Sequence, residues 1–407
     1  MPRYLIQFAQ SHDQFRLPEL LSLAKLEGVN IAGRVALSRS IYELWASQET
    51  YDSLHREVKE HPERWPEYKH QSFKFNVVVF GGTQPWARQL EIINSFSYLA
   101  FEGKIDMKNA SICFVVVEDY ELDFTREELP EHPSRLFFGR LVANGNRDAV
   151  KTFDLKKRKY LSNTSMDAEL SLVMANQAMV APGKIAYDPF VGSGIFLFTC
   201  SYFGAYTLGS DIDGRQIRGR DGRGVHTNVE QYALHGRVLD TMVFDVKNHP
   251  WRSCQIFDAI VTAPYGVRAG AKQLGRKEGK EKPVRYVDGE PAHLREDYYP
   301  PTRPYEMADV VEDLHAFAAQ HLVLGGRLVY WLPTIVDEYE AKDIPEHPCL
   351  RLVANSEQAF GVWSRRLITL EKVRELESET PAPPESRAHT PAHAKFRTRY
   401  FQPNSMP

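Results

Sequence analysis

Seven residues near the middle of the chain, Asp188-Pro-Phe-Val-Gly-Ser-Gly194, have the types and spacing of a ligand-binding turn. A short apolar run leads into Asp188, and Ile195 to Tyr202 reads as a helix. A second short run, Ala205 to Gly209, ends in Asp211 and Asp213. Strand, glycine turn, helix, strand and acidic tip make one half of a nucleotide-binding α/β unit. Gly192 and Gly194 let the backbone approach a ligand closely. An acid just beyond the second strand stands where ribose hydroxyls bind in such folds. A Gly-x-Gly by itself also occurs in ordinary βαβ turns, but the Asp-Pro-Phe lead and the acid at this distance add to it. No Gly-Lys-Ser/Thr follows, so this is not a phosphate loop. A cofactor with a ribose and no phosphates fits best, and S-adenosylmethionine is such a cofactor. Phe190 and Ile212 flank the same groups and join the candidate residues.

A second constellation follows. Phe257-Asp-Ala-Ile-Val-Thr262 reads as a buried parallel strand and runs into Ala263-Pro-Tyr-Gly266. The amino group of a nucleobase is a poor nucleophile because its lone pair is delocalised into the ring. A site that alkylates it needs acceptors for the two N–H bonds and an aromatic ring to stack on a base that has left its duplex. The usual pattern is Asp/Asn-Pro-Pro-Tyr. Thr262, Pro264 and Tyr265 are the candidate catalytic residues here, with proline and tyrosine in place and the acid missing. An ordinary turn also reads Pro-Tyr-Gly; the position at the end of a parallel strand, where ligand groups gather, favours the chemical reading.

The elements that position these groups belong to a chain of 407 residues, long enough for two or three domains. Net charge is −3 at neutral pH, so a nucleic-acid site must be a local patch. Cys113, Cys200, Cys254 and Cys349 are widely separated, with no Cys-x-x-Cys, and the fourteen histidines form no His-Glu-x-x-His. That argues against a zinc site or a disulfide framework and for a reducing setting, cytoplasmic or nuclear. The N-terminus lacks a signal-peptide core, and no apolar run approaches the ~20 residues that span a bilayer.

Taken in order, residues 1–70 read as an N-terminal α+β domain and 71–150 as a second small α+β domain. Residues 151–160, KTFDLKKRKY, form a basic linker that could line a cleft for phosphates or be a plain solvated face. Residues 161–372 form the cofactor-binding α/β domain. Within it Thr164 or Ser165 is expected to cap a helix over Asp167–Met179, and Val243 to Asp245 to be a brief strand. Residues 267–305 form a long polar insertion, and 373–407 a mostly disordered tail in which Phe396 to Phe401 could dock.

These stretches resemble the catalytic subunit of the eukaryotic tRNA (guanosine-10 N2)-methyltransferases, THUMP-containing class I methyltransferases. The resemblance spans nearly the whole chain. It rests on Arg158-Lys-Tyr-Leu-Ser-Asn-Thr-Ser-Met-Asp-Ala-Glu-Leu-Ser171, Asp188 to Gly194, Gly209-Ser-Asp-Ile-Asp-Gly214 and Phe257 to Thr262, with Phe101-Glu-Gly103 and Glu118-Asp-Tyr120 nearer the start. It implies a Rossmann-like methyltransferase domain behind an α+β region with a THUMP RNA-binding domain. Thr164, Ser165, Asp167, Asp188, Gly192 and Gly194 would hold the methionine part of S-adenosylmethionine, Asp211 the ribose and Asp245 the adenine amino group. Tyr265 would stack on the target guanine of a tRNA. A small zinc-ribbon activator subunit would be the partner and carry the metal.

The family pattern Thr-Asp-Pro-Pro-Tyr-Gly stands against Thr262-Ala-Pro-Tyr-Gly266, one residue shorter. The count from Asp258 reads as loss of the acid and replacement of the first proline. A misread gene, a slow enzyme and a catalytically silent RNA-binding relative each account for it, and retention of every cofactor position favours the first. An adenine-N6 or glutamine methyltransferase would share the Pro-Tyr chemistry but would not need the N-terminal region.

Overall fold

The computed structural model describes all residues except 1, 27–33, 122, 124, 126–127, 163–164, 265–269, 277–282, 296–297, 377–390, 397–399 and 401–407. Thr164 and Tyr265 therefore lie outside the described residues, as does much of the basic part of the 267–305 insertion. From its start the chain lays down β1 (Arg3–Phe8), α1 (Asp13–Ala24), β2 (Ser38–Gln48), α2 (Tyr51–Lys59), β3 (Phe73–Phe80), α3 (Trp86–Ser95), β4 (Ile112–Asp119) and β5 (Arg135–Asn144). There follow α4 (Arg147–Thr152), α5 (Ala168–Gln177), β6 (Ile185–Asp188), α6 (Ile195–Tyr202), β7 (Tyr206–Asp211), α7 (Gly214–Arg218), α8 (Val225–Gln231), β8 (Val238–Val243) and β9 (Phe257–Thr262). The insertion holds short strands β10 (Lys272–Leu274), β11 (Tyr286–Val287), β12 (Glu290–Pro291) and β13 (Thr302–Pro304). Then come α9 (Met307–His321), β14 (Leu322–Ile335), β15 (Leu350–Phe360) and β16 (Trp363–Lys372).

Two compact units result: residues 1–9 with 38–146, and residues 10–37 with 147–407. The first contains a five-stranded sheet in the order β1-β2-β5-β4-β3, antiparallel except for the β3–β4 pair. Its core is aromatic: Trp45, Phe96, Phe114 and Phe138 are buried together, and the Phe96 and Phe138 rings stack at 4.3 Å. Strands from both sides of residue 70 share this sheet, so a division there would cut one core in two. The charged region 51–70 contains the nine-residue helix α2, capped by Thr50 and burying Leu54 and Val58.

The second unit contains a seven-stranded sheet in the order β8-β7-β6-β9-β14-β16-β15. The first five strands are parallel; β16 runs antiparallel to β14, and β15 antiparallel to β16. This is the α/β sheet expected of a Rossmann-like class I methyltransferase. Buried clusters cover both faces, one built on α5, α6 and α8 and one on α9. Chain order reverses at β6, which lies between β7 and β9, so the crevice at the carboxyl ends of these strands is the ligand position in such a sheet.

α1 does not belong to the first unit. Nine of the ten residues of α5 are buried, so α5 needs cover on the side away from the sheet. α1 provides it. Phe15 packs on Trp331 with ring centroids 5.7 Å apart, and Arg327 Nη1 donates to Ser22 Oγ at 2.9 Å. Glu19 is fully buried. Its carboxylate accepts from Ala36 N (2.8 Å), Leu37 N (3.0 Å) and Asn176 Nδ2 (2.7 Å). Burial raises the Glu19 carboxyl to about 7 although these bonds pull it down.

The basic linker is ordered on the second unit. Gln231 Nε2 donates to Lys157 O and its Oε1 accepts from Lys159 N. Asn228 brackets Tyr160 in the same way. In the tail Phe396 is buried, 5.8 Å from Trp363, with Tyr400 5.7 Å from the same ring. Among the described residues no helix is long and apolar enough to cross a membrane.

Candidate active site at the carboxyl edge of the sheet

The predicted turn is built as its sequence requires. Asp188 is the last residue of β6 and is buried. Gly192 adopts φ 50° and Gly194 φ 90°, in the left-handed region where a side chain would be strained. A Cβ on Gly194 would also sit 2.8 Å from the Phe198 ring. Val191 N donates to Ser210 O at 2.8 Å, fixing the turn to β7. Phe190 is half-buried against the core on the α9 face.

Two carboxylates frame the turn. Asp188 Oδ1 accepts from Phe190 N (3.0 Å) and from the Thr262 hydroxyl (2.7 Å). Asp188 Oδ2 is buried with no hydrogen-bond partner among the described residues. Asp211 ends β7. Its Oδ2 accepts from Gly192 N at 2.9 Å and its Oδ1 from Asp213 N at 2.8 Å, with Ile212 between them. Burial pushes the Asp188 carboxyl up to about 7 and the Asp211 carboxyl up to about 6, against the pull of these bonds. The charge of Asp211 adds to the rise at Asp188.

Ser165 joins the turn through its hydroxyl, 2.9 Å from that of Ser193, the residue between the two glycines. Asp167, rather than Thr164 or Ser165, caps α5: its Oδ1 accepts from Leu170 N at 2.9 Å, and the helix begins one residue later than expected. Asp167 Oδ2 lies 3.8 Å from Arg365 Nη2. Asp245 lies two residues beyond β8, outside the brief strand expected for it. It is buried and accepts from Lys247 N (3.1 Å) and from Leu274 N of β10 (2.8 Å). No direct bond joins it to the other two acids among the described residues. β10 makes the connection instead, since Lys272 exerts its charge on Asp211 while Leu274 holds Asp245. Tyr299 of the same insertion lies under the Arg215 guanidinium at 4.0 Å.

At the second constellation the structure departs from expectation. Thr262 is fully buried as the last residue of β9, and its hydroxyl is donated to Asp188. Its side chain is spent on Asp188 inside the sheet. Ala263 is the first residue past the strand and is partly exposed; Pro264 is buried. The place immediately after the strand, where the family pattern carries its acid, is thus held by Ala263. The count from Asp258 points to a deletion instead, because spacing alone does not show where a strand ends. Ser193, Lys272 and Leu274 belong to the site although their sequence context does not single them out. Ser193 sits inside a recognisable motif between more conspicuous glycines, and Leu274 acts through its backbone, which leaves no signal in side-chain type.

A family model described as the Tmrp11 THUMP N-terminal domain matches residues 2–33 and 30–147. The tRNA (guanine(10)-N(2))-methyltransferase of Schizosaccharomyces pombe is 39% identical over 466 residues, covering 98% of this chain and 96% of that protein. The chain belongs to the tRNA (guanine(10)-N(2))-methyltransferase family. The Homo sapiens member, TRMT11, is 36% identical over 445 residues, covering 98% of this chain and 95% of its own, and the Saccharomyces cerevisiae member is 38% identical over 404 residues, covering 90% and 92%. Among solved structures, TrmN from Thermus thermophilus covers 91% of this chain and 99% of its own at 16% identity, with a TM-score of 0.40. The alignment with the S. pombe methyltransferase is longer than the 407 residues of this chain, so that protein carries internal residues with no counterpart here.

Proposed function

We propose that this chain transfers a methyl group from S-adenosylmethionine to the exocyclic N2 of guanosine 10 in tRNA. It would act in the cytoplasm, a reducing setting that its cysteine usage allows, with a small zinc-ribbon activator subunit that the resemblance implies. The observation that carries the reading is the pair of carboxylates on the glycine turn at the switch point of the sheet. A buried acceptor without a partner among the described residues, Asp188 Oδ2, matches a donor that brings positive charge. S-adenosylmethionine has that donor in its ammonium group and supplies, when bound, an electrophilic methyl group on a sulfonium.

The residues present fit such a ligand. Asp188 takes the ammonium, with Thr164, Ser165 and Asp167 the further residues that the resemblance assigns to the methionine part. Gly192 leaves open space, since a Cβ there would meet nothing nearer than 4.0 Å. Each Asp211 oxygen has a second lone pair after serving its backbone N–H, so the ribose hydroxyls can donate without breaking the turn. Asp245 keeps the same capacity for an adenine amino group. For the guanine, Pro264 offers its carbonyl as an acceptor and Tyr265 a ring on which to stack.

Ala263 favours a second reading, an RNA-binding methyltransferase-like protein with little turnover. Ala263, and not a carboxylate, stands at the position where the family pattern carries its acid. Loss of a group that stabilises developing charge costs about 10²–10³ in rate at comparable sites. The test replaces Thr262-Ala263-Pro264 by Thr-Asp-Pro-Pro in the full chain, follows label from S-adenosylmethionine into tRNA and maps the modified guanosine. Turnover should rise by about 10²–10³-fold. Cofactor and tRNA binding with no transfer by either form supports the binding reading. Full activity of the unaltered chain would show that this turn does not need its acid.

A further inference from the structure

The basic linker and the loop after α7 form one surface. Tyr160 Oη donates to Gln216 O at 2.6 Å, and Asn228 and Gln231 of α8 hold the linker backbone. Between α7 and α8 the chain makes a tight hairpin in which Arg220 and Arg223 exchange backbone bonds of 3.0 and 2.8 Å. Gly219 and Gly224 make it possible, since a Cβ on Gly219 would lie 1.8 Å from Arg223 O. The hairpin is therefore fixed in shape by its own backbone.

Lys156, Lys159, Arg218, Arg220 and Arg223 are exposed on these two segments. Among the described residues none of the five forms an ion pair, in contrast to Arg215, which is bound by Asp213 at 2.7 Å. Asp221 at the hairpin tip and Glu230 on α8 are the exposed acids beside them. The surface borders the cofactor turn: α7 starts three residues after Asp211, and the Tyr160 hydroxyl senses Asp213, Asp211 and Arg220 together.

We propose that this surface, centred on the 218–223 hairpin, holds the phosphate backbone of the tRNA beside the ribose end of the cofactor site. The inference rests on the tRNA reading above and adds to it a contact made by the methyltransferase unit itself. Five spread, exposed cations on a rigid support suit successive phosphates of a polyanion. A single small anion needs donors that converge in a buried site. Arginines outside ion pairs give up no salt bridge on binding, and the guanidinium fork matches phosphate oxygens.

The test compares the full chain with the triple variant Arg218→Ala, Arg220→Ala, Arg223→Ala, with and without the activator subunit. Binding of unmodified tRNA is followed across a salt series, and S-adenosylmethionine affinity and melting temperature serve as fold controls. Without these three cations, the slope of log affinity against log salt should shrink by about 2–3 and affinity should fall more than about tenfold at moderate salt. The charge-preserving variant Arg218→Lys, Arg220→Lys, Arg223→Lys should keep most of the slope. In transfer assays KM for tRNA should rise more than kcat falls. A triple alanine variant with intact cofactor binding and an unchanged tRNA slope overturns this surface while leaving the tRNA reading standing. Failure of the unaltered chain to hold tRNA would overturn the substrate reading, and this surface with it.

Discussion

At the residue scale, the proposed cofactor binding turns on the protonation of two buried acids. Asp188 and Asp211 are raised to about 7 and about 6 in the ligand-free chain, chiefly by burial. A cationic ligand binds the ionised pair, so S-adenosylmethionine affinity should strengthen as pH rises through this window and level off above it. Folding stability has the opposite sign. An acid raised in the folded state stabilises below its unfolded value near 4, and that contribution is lost as pH rises through 6 to 7. Calorimetric titration from about pH 5 to about pH 9 separates the two trends. Asp188→Asn should cost about 1.5–3 kcal/mol of cofactor binding and flatten the upper part of the profile. Thr262→Val removes the 2.7 Å bond that holds Asp188 down, so its profile should move to higher pH with the fold intact. An unmoved profile would show that Thr262 does not tune that acid. Thr262→Asp would instead bury a second carboxylate against Asp188, and it should destabilise the chain without restoring transfer.

At the element scale, the glycine turn was fully legible, because φ above zero demands glycine and the helix behind the turn is continuous apolar sequence. β9 was legible to the residue, because the run Ala259 to Thr262 is apolar and β-branched and follows Phe257. The allegiance of α1 was not legible. Nothing in its own residues says that Phe15 meets Trp331, whose strand comes some three hundred residues later. The charged and proline-rich look of 51–70 hid α2, whose apolar stripe is only Leu54 and Val58. One consequence corrects a natural truncation. A methyltransferase fragment beginning at Lys159 lacks α1 and leaves the outer side of α5 bare, so it should not fold stably. Phe15→Ala in the full chain should cost about 3–5 kcal/mol, and Glu19→Ala about 1–3 kcal/mol through unserved N–H groups, both read by chemical denaturation. A stable Lys159 fragment with normal cofactor affinity would show that α1 is dispensable.

At the scale of the whole molecule, two units with separate cores should respond separately. Phe138→Ala, in the aromatic core of the first unit, should destabilise by about 3–5 kcal/mol and leave S-adenosylmethionine affinity unchanged. Cofactor at a hundredfold excess over its dissociation constant should stabilise the second unit by about 2.7 kcal/mol. Differential scanning calorimetry with and without cofactor reads both effects, and a shift of every transition by the same amount would deny the units their independence. The cofactor-binding α/β domain and the α+β region before it were readable from the cofactor motif and the alternation of elements. The point of division was not, because the sequence separates stretches that the sheet of the first unit brings together.

The insertion of α1 between β1 and β2 also sets a timetable for synthesis. A ribosome adding roughly 5–20 residues per second releases α1 about half a minute before β14 follows. Through that interval Phe15 lacks the Trp331 ring it packs on, while β1 and β2 can already begin to pair with later strands of their own sheet. The nascent chain must therefore hold open a gap for material not yet made, and a chaperone that shields a short apolar helix would find its natural client there. Slowing translation across residues 147–331 should raise the share of chains captured by such a chaperone, without altering any residue of the finished protein.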